Sequence, residues 1–176
     1  MSQHGFFFDR TRCIGCGSCA IACKESHDSP SDETIYWRRV TTAESGHYPD
    51  VAIENDSRSC MHCEKPACLA VCPVGAISKR SQDGIVMVDR GKCIGCRSCA
   101  TACPFGVPQY GADGLMQKCD FCTDSARGLT APECASACVG GALFAGPLDR
   151  LARTAARKKP VRLGGPTRPA LLVSRR

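Results

Sequence analysis

The sequence contains no apolar run long enough to span a bilayer, and its first eight residues lack the hydrophobic stretch of a secretory signal. We therefore expect no membrane span of its own and no leader peptide. We assign the protein to the cytoplasm, with export in complex with a signal-bearing partner as the alternative. Aromatic residues are scarce at 6%, so the stacking platforms of single-stranded nucleic-acid binders are missing. We expect no nucleic-acid partner.

Acidic residues are absent from residues 150–176, which hold nine lysines and arginines. Residues 1–149 hold 17 acidic and 14 basic residues, so the formal net charge of +6 hides an acidic body with a basic tail. Such a tail either stays solvated or docks onto an acidic neighbour, which is a partner subunit or another copy of this chain.

Cysteine is the residue in excess, at 16 of 176, and the cysteines fall into four groups of four. Groups one and three have the spacing C-x2-C-x2-C-x3-C, group two has C-x2-C-x4-C-x3-C, and group four has C-x2-C-x11-C-x3-C. In chain order the groups are Cys13, Cys16, Cys19 and Cys23; Cys60, Cys63, Cys68 and Cys72; Cys93, Cys96, Cys99 and Cys103; and Cys119, Cys122, Cys134 and Cys138.

The spacing of groups one and three is the signature of a bacterial ferredoxin cluster, and Pro104 completes it after Cys103. A 4Fe-4S cubane needs one soft ligand at each of four irons, and thiolate is the soft ligand that proteins carry. In two-cluster ferredoxins the fourth cysteine of the run ligates the other cluster. The sequence therefore predicts iron bound by all sixteen cysteines, in four clusters that are cross-bonded in pairs.

Three other uses of cysteine fit less well. Zinc ribbons have two C-x2-C pairs set well apart, a pattern that group four alone resembles, whereas groups one and three add a third cysteine after two residues. A disulfide framework suits a secreted protein, and cysteines this close in sequence make poor partners for one another. Thioredoxin-like redox chemistry at one C-x2-C pair leaves most of the cysteines unexplained.

An internal repeat indicates the fold. Residues 9–23 align with residues 89–103, and residues 72–77 resemble residues 138–143. Duplicated modules of short strands and short helices make the fold class α+β, with an extended C-terminal tail. We predict strands at 6–9, 35–42, 51–54, 77–80, 85–89 and 142–145, the pair at 77–80 and 85–89 forming a hairpin. We predict helices at 18–25, 67–71, 99–103, 119–125, 132–137 and 148–159, a loop at 127–130 and irregular structure at 160–169.

Five stretches carry a family signature: GFFFD (5–9), CMHCEKPAC (60–68), CIGCRSC (93–99), PQY (108–110) and MQKCDFC (116–122). They resemble the iron–sulfur subunit of dimethyl sulfoxide reductase and of polysulfide reductases, formate dehydrogenases and tungsten aldehyde oxidoreductases. The resemblance implies a four-cluster, ferredoxin-like domain at 1–148. Its inner module is at about 55–112, its outer module is formed by 1–54 and 113–148, and a basic helix and tail follow at 149–176.

The resemblance also implies a ligand set for each of four 4Fe-4S clusters, and no three-iron cluster. The sets are Cys13, Cys16, Cys19 and Cys138 for cluster 1; Cys119, Cys122, Cys134 and Cys23 for cluster 2; Cys60, Cys63, Cys68 and Cys103 for cluster 3; and Cys93, Cys96, Cys99 and Cys72 for cluster 4. Such a protein relays single electrons to or from the catalytic subunit of a molybdenum- or tungsten-pterin oxidoreductase. A further redox or membrane-anchor subunit is an additional candidate partner.

The remaining residues suggest no chemistry of their own. No nucleophile is paired with a base, so we expect a non-catalytic subunit, with a free-standing polyferredoxin that serves several enzymes as the alternative function. Four cations lie beside ligands in sequence, and we expect solvated side chains for all of them: Arg12, Lys92, Arg97 and Lys118. His62 lies between Cys60 and Cys63, and we expect a packed or exposed side chain rather than a proton relay.

Overall fold

A computed structural model describes residues 2–27, 34–123 and 131–175. In these residues the strands are β1 (His4–Phe8), β2 (Arg39–His47), β3 (Asp50–Arg58), β4 (Ile77–Lys79), β5 (Val86–Val88), β6 (Gln109–Tyr110), β7 (Met116–Gln117), β8 (Leu143–Pro147), β9 (Val161–Arg162) and β10 (Leu171–Val173). The helices are α1 (Ser18–Ser26), α2 (Ala67–Ala70), α3 (Ser98–Ala102), α4 (Glu133–Ser136) and α5 (Leu148–Thr154), which a 3-10 turn (Ala156–Lys158) follows. Short strands and short helices agree with the predicted α+β class.

A four-stranded sheet in the order β8-β1-β10-β9 joins the two ends of the chain. Strand β1 pairs antiparallel with β8 and parallel with β10, and its three phenylalanines are buried. Phe6 and Phe8 face a core that contains cysteines of groups one, two and four, while Phe7 packs with Leu151 of α5. Burial on both faces explains why the strand is a continuous apolar run instead of an alternating pattern.

Gly5 permits this arrangement. A Cβ at this position would lie 2.0 Å from the backbone oxygen of Ala170, which is far inside van der Waals contact. That same oxygen accepts a hydrogen bond from the backbone N–H of Phe6 at 3.0 Å. The absence of a side chain at residue 5 therefore lets strand β10 approach β1.

The C-terminal segment differs from the extended tail that the sequence predicts. Residues 160–169 contain strand β9, and β10 lies between β1 and β9, with Leu171, Leu172 and Val173 buried. Arg162 and Arg168 both form ion pairs with Glu64, at 3.1 and 3.0 Å. Basic charge dominates the segment in sequence, yet its short apolar run completes the sheet, so the segment folds onto the body of the same chain.

Three antiparallel strand pairs and two helix pairs accompany this sheet in the described residues. Strands β4 and β5 form the predicted hairpin. Strands β2 and β3 form a hairpin, although only separate strands at 35–42 and 51–54 were predicted; both strands are mostly exposed, which is why hydrophobic alternation did not mark their ends. Strands β6 and β7 form the third pair. Helix α1 contacts α4, and α2 contacts α3.

One predicted helix is wrong. Residues 119–123 form a turn in which Phe121 and Cys122 have positive φ values of 66° and 54°. The backbone N–H of Phe121 donates to the sulfur of Cys119 at 3.4 Å, and Cys122 N–H donates to the Asp120 carboxylate at 2.8 Å. These bonds turn the backbone around a sulfur and replace helical bonds. The rest of that prediction, and the predicted loop at 127–130, lie outside the described residues.

The other predicted helices are present with small changes in their ends. The segment predicted at 148–159 begins at Leu148 and closes in the 3-10 turn, because Pro160 cannot continue a helix. Within residues 2–27, 34–123 and 131–175, every helix is too short or too polar to cross a bilayer.

Candidate metal centres

Thiols converge at three cavities, each lined by three cysteines of one group and one cysteine of another. The first is lined by Cys13, Cys16, Cys19 and Cys138. The second is lined by Cys60, Cys63, Cys68 and Cys103. The third is lined by Cys93, Cys96, Cys99 and Cys72.

The four remaining cysteines form a fourth, deeper set. Cys119 interacts electrostatically with Cys23 and Cys134, and Cys134 interacts with Cys23 and Cys122. Cys23, Cys119 and Cys134 are buried. All sixteen cysteines are free thiols, so a disulfide framework is excluded in this structure.

The cysteine loops use left-handed backbone to wrap each site. In group one, Gly15 and Gly17 have φ values of 71° and 76°. In group three, the equivalent positions are Gly95 at 67° and Arg97 at 63°, so a larger side chain tolerates this conformation at the second position. The short helices that follow carry the third cysteine of each of these loops, Cys19 in α1 and Cys99 in α3.

Hydrogen-bond donors point at several of the sulfurs. Backbone N–H groups donate to Cys93 from Met116 at 3.5 Å and to Cys138 from Ala142 at 3.2 Å. The hydroxyl of Tyr110 lies 3.1 Å from the sulfur of Cys99. Hydrogen bonds to sulfur favour the thiolate and help to set the potential of a bound cluster.

Buried thiols in contact with one another need a cation. Burial and the charge of Cys60 raise the pKa of Cys68 to about 12. Burial and the charge of Cys23 raise the pKa of Cys119 well above its ordinary value. Four such thiols ionise together only if a positive core replaces their protons, which is what an iron–sulfur core does. The donor set therefore fits 4Fe-4S clusters.

Two sites have an exposed edge. Cys16 and Cys96 are exposed, and they occupy equivalent positions in groups one and three. The hydroxyl and backbone N–H of Ser18 lower the pKa of Cys16, and the backbone N–H and hydroxyl of Ser98 lower the pKa of Cys96. Ile14 and Ile94, in the same two loops, are 66% and 63% exposed.

Sequence reasoning placed one cation wrongly. Arg12, Lys92 and Arg97 are exposed, as predicted, but Lys118 is buried. Its Nζ donates to the backbone oxygens of Val86 and Cys119, and its side chain lines the cavity of Cys60, Cys63, Cys68 and Cys103. Lys118 lies in the connection between β7 and the Cys119 turn, and the fold brings this connection into the core.

His62 is packed, in agreement with the prediction. The side chain is fully buried, its Nδ1 accepts a hydrogen bond from Val86 N–H at 3.1 Å, and its ring meets Phe121 edge-on. Burial and the neighbouring Lys118 charge hold the pKa of His62 well below its ordinary value. Since Nδ1 accepts this hydrogen bond, the neutral imidazole carries its proton on Nε2.

Three residues near the thiols carried no recognisable signal in the sequence. Arg38 is buried, and burial opposes its charge, but four thiols outweigh this effect and raise its pKa: Cys134, Cys119, Cys19 and Cys23. Thr167 of the C-terminal segment lines the cavity of Cys60 and Cys63, and its buried hydroxyl has no hydrogen-bond partner among the described residues. His27 contacts Asp120 at 2.9 Å, and the ligand atoms of these two residues and of Cys122 all lie within 4.8 Å of one another. For Arg38, the strand predicted at 35–42 places Arg38 and Arg39 on opposite faces, but the alternation does not say which of the two side chains faces inward.

Comparison with known proteins agrees with this donor set. Two family models, both described as a 4Fe-4S dicluster domain, match residues 51–148 and 12–76. The sequence is 43% identical over 159 residues to one of the chains of the anaerobic dimethyl sulfoxide reductase of Escherichia coli K12, covering 85% of this chain and 76% of that protein. It is 39% identical over 151 residues to the thiosulfate reductase electron transfer subunit of Salmonella typhi, covering 84% and 78%. It is 38% identical over 138 residues to a subunit of the sulfite dehydrogenase of Allochromatium vinosum, covering 70% and 58%.

Proposed function

This protein belongs to the 4Fe-4S dicluster family and is an iron–sulfur electron-transfer protein, and on this premise we propose that it serves the catalytic subunit of a molybdenum- or tungsten-pterin oxidoreductase. It contributes no catalytic group to that reaction. The relatives named as parts of dimethyl sulfoxide, thiosulfate and sulfite enzymes support a partner of this class.

The proposal includes four clusters, each with its own set of four thiols. The support is the convergence of these thiols and the positive core that their burial requires. When bound, a cubane cluster takes up and releases one electron at a time. The sets are Cys13, Cys16, Cys19 and Cys138 for cluster 1; Cys23, Cys119, Cys122 and Cys134 for cluster 2; Cys60, Cys63, Cys68 and Cys103 for cluster 3; and Cys72, Cys93, Cys96 and Cys99 for cluster 4.

The order of the relay follows from neighbouring ligands. Arg38 interacts with thiols of the first and second sets. Cys119 of the second set interacts with Cys60 of the third. Cys68 of the third set lies in α2, and Cys72 of the fourth follows two residues after the end of that helix. The proposed order is therefore cluster 1, 2, 3, 4, with the edges at Cys16 and Cys96 as the two ends.

The exposed ends are where partners would dock. Ile14 and Ile94 are apolar, exposed and next to a ligand of cluster 1 or cluster 4. Exchange of one of these two isoleucines for Asp should therefore abolish binding of the catalytic subunit. The same exchange at the other isoleucine should leave that binding intact. Each variant is the control for the other, because the two loops have the same spacing.

Co-purification of the full chain, tagged in its native host and isolated without oxygen, tests the partner. We expect a stoichiometric second subunit that contains molybdenum or tungsten, and electron transfer from it to the clusters of this chain. Recovery of the chain alone, with equal electron exchange towards several unrelated redox enzymes, would favour the free-standing polyferredoxin. The same preparation shows whether a membrane-anchor subunit or a second copy of the chain is present. Fractionation distinguishes a cytoplasmic complex, which we propose, from one exported with a signal-bearing partner.

A further inference from the structure

Arg38 is a completely buried cation held in a fixed orientation. Its Nη2 donates to the Ser59 hydroxyl at 2.8 Å, and its Nη1 donates to the Ser57 hydroxyl at 3.2 Å. The guanidinium stacks over the ring of Phe6, with 4.6 Å from its central carbon to the ring centroid. Since a guanidinium is not deprotonated in proteins, this site carries a permanent positive charge.

Thiols supply the negative charge around this cation. In the part of the chain that the structure describes, no carboxylate forms an ion pair with Arg38. The groups whose ionised form acts on the guanidinium are Cys134, Cys119, Cys19 and Cys23. A buried charge without a partner is strongly unfavourable, so the position of Arg38 is explained by the charge of the groups that these cysteines hold.

A hydrogen-bonded chain joins Arg38 to the first proposed site. The Ser57 hydroxyl lies 3.3 Å from the sulfur of Cys19, which belongs to the first set. The same hydroxyl accepts from Arg38 at 3.2 Å, and the charge of Arg38 also acts on Cys134, Cys119 and Cys23 of the second set. Arg38 therefore interacts with both sites, and Ser57 fixes it against the first.

We propose that Arg38 is a positioning residue shared by clusters 1 and 2, which raises the reduction potentials of both and is linked to cluster 1 through Ser57. The proposal rests on the ligand sets given under the proposed function. Reduction adds one negative charge to a cluster, and a fixed cation in a low-dielectric interior stabilises that added charge.

Redox titration of the anaerobic holoprotein, followed by EPR, tests this role. Arg38→Gln should lower the ratio of reduced to oxidised cluster at a fixed solution potential by at least tenfold in clusters 1 and 2, which is about 59 mV for one electron. Clusters 3 and 4 should keep their potentials. Arg38→Lys retains the charge and should restore most of the ratio. Arg39→Gln is the matched control, since Arg39 is the next residue, exposed at the start of β2, and it should change neither pair.

Three outcomes would overturn the proposal. One is an equal shift of all four clusters in Arg38→Gln, another is unchanged potentials in that variant, and the third is a Lys variant that behaves as Gln does. If Arg38→Gln loses iron, Ser57→Ala decides, because it keeps the cation and removes the contact with Cys19. It should lower the potential of cluster 1 more than that of cluster 2, and no shift would count against the link. A wild-type iron content below that of four clusters would instead contradict the proposed function.

Discussion

Cys138 and Cys23 provide the sharpest test of the cross-bonded ligand sets. Cys23 follows Cys13 and Cys16 closely in sequence, but the structure turns it towards Cys119 and Cys134. Cys138 is far from group one in sequence, yet it lines one cavity with Cys13 and Cys16. Sequence proximity and spatial proximity therefore predict opposite results for the same substitutions.

The expected iron contents follow from four cubanes, which hold about 16 iron atoms in the intact chain. Replacing Cys13 and Cys16 by Ala removes two ligands of one cluster and should leave about 12. Adding Cys138→Ala removes a further ligand of the same cluster, so the content should stay at about 12. Adding Cys23→Ala instead damages a second cluster, so the content should fall to between about 8, for complete loss, and about 11, for a three-iron remnant.

Iron and acid-labile sulfide, measured per chain on protein prepared without oxygen, provide the assay. The Cys13, Cys16 double variant is the common background, so general destabilisation affects both triple variants alike. EPR of the oxidised protein reports any three-iron remnant. If the variant with Cys23→Ala stays at the background value while the variant with Cys138→Ala falls, each group binds its own cluster and the cross-bonded sets are wrong.

The remaining predictions concern the sheet and the apo chain. Gly5→Ala should lower the melting temperature strongly, since its Cβ would overlap the backbone beside β10, whereas Gly164→Ala has open space and should not; thermal unfolding of the anaerobic holoprotein measures both. Phe8→Ala, at a position 1% exposed, should cost about 3 to 5 kcal/mol in denaturant unfolding, against less than about 0.5 for Tyr48→Ala at a position 93% exposed. Removal of iron by a chelator should abolish most of the near-ultraviolet circular dichroism, because the thiols then lack their central cation. An apo chain with native dichroism would contradict this dependence.

Cysteine spacing determines much of what could be predicted. The spacing of the cysteines predicts both the ligands and the turn that presents them. The loops at groups one and three and helix α1 therefore follow from local sequence. The hairpin of β4 and β5 is also local, since its strands are joined by a short turn. Group four is less regular, and there a helix was predicted where backbone bonds to Cys119 and Asp120 form a turn.

Long-range contacts account for what could not be predicted. Strand β10 pairs Leu171 with Phe6 at the other end of the chain, and a run of three apolar residues gives no sign of so distant a partner. The burial of Lys118 and Arg38 likewise depends on what surrounds their segments. The sequence around a basic residue gives no sign of whether its side chain is solvated or enclosed, and only the packed structure distinguishes the two.

Iron and acid-labile sulfide per chain, on anaerobically purified protein, with a stepwise reductive EPR titration, test the central claim most directly. The account predicts about sixteen of each and several interacting spin signals that appear at different potentials, as in a relay of four clusters. Much lower iron, with stoichiometric zinc in its place, would mean that at least one group of cysteines is structural and that the four-cluster relay is wrong.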